Sequence, residues 1–112
     1  MDRERSPTIY LLASQRNGTL YVGVTSDLLA RMYQHRNGLR PGFTRDHRIR
    51  MLVWFEQHQT MDAAILREKR IKKWKRAWKL ALIEVDNPGW RDLAEDFGFP
   101  PLPATGFPLS RE

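Results

Sequence analysis

Two short apolar runs, separated by a polar turn, open the chain, and a helical period follows them. "TIYLLASQ", residues 8–15, opens with β-branched and aromatic residues and reads as a strand. "RNGT" follows as a turn, because Asn17-Gly18 supplies the left-handed backbone a hairpin needs. "LYVGV", residues 20–24, is a second strand, which should pair antiparallel with the first. Thr25, Ser26 and Asp27 offer helix caps. "LLARMYQHRNG" is then a helix that stops at Asn37-Gly38. "LRPGFTRDHRIR" reads as a polar loop, and "MLVWFEQH", residues 51–58, as a third strand.

Thr60 and Asp62 can cap a second helix, "AAILREKRIKKWKRAW", which breaks before or runs on into "KLALIEV". "DNPGW" is a breaker and "WRDLAEDF" a short last helix. The order is β-β-α-β-α-α. It predicts an α/β chain of the α+β type, with a three-stranded antiparallel sheet flanked by helices. Residues 1–95 are expected to form one domain. Residues 96–112, a segment holding four of the seven prolines, are expected to be a flexible extension.

Placed on a helical wheel, Met61, Ala64, Ile65 and Ile71 form one apolar stripe, and Glu68 falls in its middle. A carboxylate aimed at a packed face is costly unless it is paired or holds a metal. Two readings stay open: a buried bridge, with Arg31 as candidate partner, or a single carboxylate ligand for Mg²⁺ completed by water and phosphate oxygens. Arg31 and His35 lie one turn apart and share a helix face. Arginine grips phosphate through paired donors, and histidine donates to phosphate or moves a proton. Tyr10 and Tyr21 read equally as core aromatics with wet hydroxyls.

Charge narrows the partner. The 112-residue chain carries a net charge of +6 and no cysteine, so it has neither disulfides nor cysteine-ligated zinc. Eight lysines and arginines lie between Arg67 and Lys79, interleaved with Trp74 and Trp78. Lys72, Lys73, Lys75, Arg76 and Lys79 form a candidate phosphate-binding patch. Both tryptophans fall near the apolar side of the wheel and are expected in the core. No apolar run approaches the ~20 residues of a membrane span, and the N-terminus lacks a secretory pattern. A cytoplasmic location is expected. His47 and His58 are isolated and lack metal-ligand spacing.

Thr8-Ile9-Tyr10, Tyr21-Val22-Gly23, Arg31 ten residues later, His35 and Glu68 occur in one order and spacing. Together with "REKRIKKWKRAWKLALIE" and "NPGWRDL", this pattern resembles the GIY-YIG nuclease superfamily over residues 8–93. The match is to a small single-domain bacterial branch related to the nuclease domain of the excision-repair endonuclease. The resemblance implies a Mg²⁺- or Mn²⁺-dependent endonuclease using one ion, hydrolysing phosphodiester bonds in DNA, with RNA left open as a substrate. It implies that Tyr10, Tyr21, Arg31, His35 and Glu68 converge on one phosphodiester. Glu68 would hold the metal, Tyr21 take a proton from water, Arg31 clamp the phosphate, Tyr10 orient the water, and His35 contact the phosphate or share the proton transfer. A free tyrosine titrates near ~10, so that base would need positive charge beside it. DNA contacts would come from Arg31 and the basic patch. The chain would act as a monomer or weak homodimer, away from membranes. The alternative is a silent nucleic-acid-binding module that keeps the fold and the basic helix. Thr8 stands where the family has its first glycine, and Val24 where some relatives have lysine. Asn87 fits a helix stop and is left unassigned.

Overall fold

The computed structural model describes residues 6–103. Three strands, β1 (Thr8–Ala13), β2 (Leu20–Thr25) and β3 (Met51–Gln57), form an antiparallel sheet in the order β2-β1-β3. The helices are α1 (Leu28–Arg36), the single turn α2 (Phe43–Asp46), α3 (Met61–Lys72) and α4 (Arg76–Asp86). A closing 3₁₀ turn spans Leu93–Phe97.

β1 is the central strand and is buried along its whole length. Its alternating side chains build a core on each face. Ile9, Leu11 and Ala13 pack with Val22, Val53, Ala64, Ile71 and Ile83 beneath α3 and α4. Tyr10 and Leu12 pack with Met32, Ile49, Leu52 and Ala94 on the face covered by α1 and the 3₁₀ turn. A slip of one residue would exchange the two sets, so burial on both sides fixes the register. Tyr10 therefore lies directly across from Gly23.

Helix starts follow the expected caps. The Asp27 carboxylate accepts from the Ala30 amide at 3.2 Å, and Thr60 Oγ1 accepts from the Ala63 amide at 3.1 Å. α1 ends at Asn37, with Gly38 in the left-handed region at φ 65°.

Three local expectations are corrected. First, the polar loop contains α2, which turns Thr44 inward and leads to the buried Ile49. Second, the long basic helix breaks at residues 73–75 without a glycine or proline, because Trp74 turns inward to pack on the core of α3 and α4. The wheel therefore loses its phase at the break. Trp74 is partly buried, but Trp78, on α4, is 53% exposed and not in the core. Third, the last helix is the 3₁₀ turn, capped by Asp92.

Asp92 also ties this turn to the body. Its carboxylate accepts from the Leu52 amide at 3.1 Å and from Arg36 Nη1 at 2.7 Å. Arg36 continues outward to the Pro100 carbonyl and sits over the Phe99 ring. The stretch expected to be a flexible extension thus starts inside a packed segment. Residues 104–112 of that expectation lie outside the described residues.

Candidate active site

β1, β2 and α1 bring four of the five expected site residues into one cluster. Tyr10 Oη lies 3.1 Å from His35 Nε2 and accepts from Arg31 Nη1 at 3.3 Å. The rings of Tyr10 and Tyr21 are 6.3 Å apart, and Tyr21 meets His35 edge-on at 5.8 Å. Arg31 Nη1 also donates to the Val24 carbonyl at 3.4 Å, so its guanidinium lies against β2, an edge strand.

Gly23 makes this cluster sterically possible. A Cβ there would collide with Tyr10 Cζ and Oη and lie 2.9 Å from Cε1. The tyrosine of the first motif therefore occupies the space left by the glycine of the second. Thr8, at the glycine position of the first motif, faces Thr25 across the strands.

Burial assigns different duties within the cluster. Tyr10 is 0% exposed, and burial pushes its hydroxyl up to about 12 against the opposing pull of Arg31. It therefore keeps its proton at neutral pH. His35 is 4% exposed, and burial, followed by the charges of Arg40 and Arg31, pushes it down to about 4. The neutral ring has one N–H and one acceptor nitrogen. With Tyr10 donating to Nε2, Nδ1 carries the hydrogen and donates to Thr44 Oγ1, 3.2 Å away. The chain Arg31–Tyr10–His35–Thr44 then has a single direction. Both His35 nitrogens are engaged inside the protein, and the Tyr10 hydroxyl is sealed. The partly exposed members are Tyr21 and Arg31.

Glu68 is placed differently. It is 7% exposed, on α3, and α3 packs on the opposite face of the sheet from Tyr10. The same helix packs on β2, the edge strand that carries Tyr21, and on β1. Its ion pair is with Lys72 at 2.6 Å, not with Arg31. Val24 packs on the α3 side.

Among the described residues, no group of three or more His, Cys, Asp or Glu could hold a metal ion. An ion at Glu68 would have one protein ligand, which suits Mg²⁺ completed by water and phosphate oxygens. The carboxylate already attracts a cation, and the Lys72 side chain that supplies it is about half exposed and free to swing away. The residues fit a single-carboxylate site.

The basic patch is partly committed within the protein. Arg76 Nη2 donates to the Asn17 and Gly18 carbonyls at 2.7 Å each, and Lys79 Nζ to the Lys72 carbonyl at 3.3 Å. Lys73 and Lys75 are exposed, and Lys75 stands 5.6 Å from the Trp78 ring centre.

Asn87 is not near this cluster. Its Nδ2 donates to the Val53 and Arg91 carbonyls, and its Oδ1 accepts from the Arg91 amide. It serves β3, on the far side of β1 from β2.

Sequence reasoning missed Thr44 and Arg40. Thr44 lay in what read as loop. Arg40 stands close enough to influence both Tyr10 and His35. The density of arginines from Arg36 to Arg50 was the available signal for it.

Comparison with known proteins agrees with this architecture. The GIY-YIG catalytic domain model matches residues 6–81. UPF0213 proteins of Staphylococcus epidermidis and Staphylococcus saprophyticus are 37% identical over 68 residues, covering 61% of this chain and 83% of theirs. The solution structure of a UPF0213 protein from Bacillus halodurans superposes with a TM-score of 0.51 at 22% identity, covering 80% of this chain and 95% of that one.

Proposed function

Because this chain belongs to the GIY-YIG catalytic-domain family, we propose that it is a divalent-metal-dependent endonuclease that hydrolyses phosphodiester bonds in DNA. The observation that carries this reading is the convergence of Arg31, Tyr10, Tyr21 and His35 beside an open strand edge. Arg31 is held from behind by the Tyr10 hydroxyl and the Val24 carbonyl, so its remaining donors are presented in a fixed direction. A guanidinium held this way grips two phosphate oxygens without losing much side-chain freedom on binding.

Tyr21 is the partly exposed phenol of the cluster and the candidate proton acceptor for the attacking water. Arg31, in the same cluster, supplies positive charge to the phosphate as negative charge develops on it. Tyr10 and His35 are positioning residues: sealed and neutral, they fix Arg31 and wall the site without touching substrate. Glu68 would hold the metal, which when bound supplies charge stabilisation at the leaving oxygen. Lys72 would leave Glu68 and turn to the phosphate backbone with Lys73.

The test is cleavage of single-stranded, nicked, flapped and branched DNA, with Mg²⁺ and with EDTA. Metal-dependent internal cleavage is expected, lost in Arg31→Ala and Tyr21→Phe. DNA binding without cleavage in any metal would instead establish a silent binding module.

A further inference from the structure

Trp78 presents a large apolar ring to solvent at 53% exposure, on the side of α4 away from the buried Ile83. One neighbour is a cation and one an aromatic ring. Lys75 Nζ stands 5.6 Å from the ring centre, and the Trp74 ring meets it edge-on at 6.1 Å. On the same helix, Arg76 and Lys79 line an open cleft of about 500 Å³ with Asn17, Gly18, Thr19 and Leu20 of the β1–β2 connection. Between Arg67 and Lys79 the sole acidic residue is Glu68, which is buried. The exposed ring thus sits in a basic stretch of chain, with one cation at its ring.

The cleft and the candidate active site share strand β2. The strand runs from Leu20, which lines the cleft, to Val24, whose carbonyl holds Arg31. At ~3.4 Å per residue those positions are roughly 13 Å apart, the reach of a few nucleotides. Glu68 and Lys72 lie one helical turn apart on α3, and Lys79 caps the Lys72 carbonyl, which extends the cationic track toward the cleft.

We propose that Trp78 is a stacking platform for an unpaired nucleobase, with Lys79 and Lys75 holding the adjoining phosphates, so that the basic face of α4 favours single-stranded over duplex nucleic acid. A base–aromatic stack requires an open ring face, which a paired and stacked base in a duplex does not offer. Duplex DNA would gain from the cations but not from the ring. An acidic protein would also meet the charge, but it has no comparable use for an exposed flat ring beside a lysine. This inference rests on the nuclease reading and adds the form of its substrate.

The experiment measures binding of the full chain in EDTA to an unstructured oligo-dT and to a blunt duplex of equal length, by fluorescence anisotropy. Trp78→Ala should weaken oligo-dT binding roughly tenfold, within the range that stacking one base supplies, and leave duplex binding unchanged. Trp78→Phe, which keeps a ring, should retain most of the affinity. Lys79→Ala should lower the slope of log K against log salt by about 0.7 on the single strand. Equal losses on both nucleic acids, or none on either, overturn the proposal while leaving the nuclease reading in place. A wild-type chain that binds neither probe overturns both. Melting temperatures of the variants within a degree or two of wild type would show that a half-exposed ring was removed without loss of fold.

Discussion

The Tyr10 ring fills the volume that a side chain at Gly23 would require, and the two residues sit directly opposite each other on β1 and β2. One methyl group at residue 23 must push either the ring or the strand aside. Gly23→Ala should therefore destabilise the protein by about 1–3 kcal/mol, the usual cost of overpacking. It should also displace the Tyr10 hydroxyl from Arg31 and His35. Chemical denaturation and a cleavage assay check both; unchanged activity would show that the Tyr10 contacts are dispensable.

His35 makes stability depend on pH. Its folded value, about 4, lies below the ordinary 6.5, so the unfolded chain binds the extra proton more readily. The contribution is complete above pH 6.5. It is lost progressively as pH falls toward 4 and changes little below that. The loss should be on the order of 2 kcal/mol, after discounting for residual solvent access. Urea unfolding of wild type and His35→Gln across this window gives the test: the variant should lack that segment of the slope.

Glu68 separates chemistry from folding. Its ion-pair partner Lys72 is an exposed lysine, which returns to water at little cost when the carboxylate is gone. Glu68→Gln should shift stability by less than about 1 kcal/mol. If Glu68 holds the metal, the same variant should lose cleavage while still binding DNA. A variant that cleaves normally would remove Glu68 from the metal site.

Asp92 should behave in the opposite way. It pairs with the buried Arg36 head, caps the 3₁₀ turn and accepts from the Leu52 amide. Asp92→Ala leaves a cation and an amide without their acceptor, at roughly 3–5 kcal/mol. Thermal unfolding should show a large drop in melting temperature, with any loss of activity following from partial unfolding.

The strands, the first helix and four members of the cluster were legible because each announces itself locally. Short runs rich in β-branched and aromatic residues placed Tyr10 and Tyr21 on neighbouring strands, and the family resemblance joined them to one site. The i, i+4 spacing placed Arg31 and His35 together. What failed was set by distant contacts. Nothing near residue 74 marks a helix end, because the break answers to the core that Trp74 joins. Thr44 looked like loop because its value depends on a histidine nine residues earlier. Asp92 and Arg36 are 56 residues apart, and no local pattern links them. The ion-pair partner of Glu68, for which Arg31 was a candidate, was hidden for a related reason. The apolar stripe revealed that the carboxylate was buried but not which cation could reach it, and the nearest was one turn away on its own helix.

The two rims of the sheet are finished in different ways, and this governs how copies of the chain can associate. At Leu11–Leu12 the pairing of β1 with β3 shifts by one residue, leaving Val53 without a strand partner. The Val53 carbonyl is claimed by Asn87, and the neighbouring Leu52 amide by Asp92. Irregular and already engaged, that rim is a poor template for another strand. The β2 rim is the straighter one, and Arg31 lies along it. A strand added to the β2 rim would lie across Arg31, so strand addition there and phosphate binding by that arginine would exclude each other.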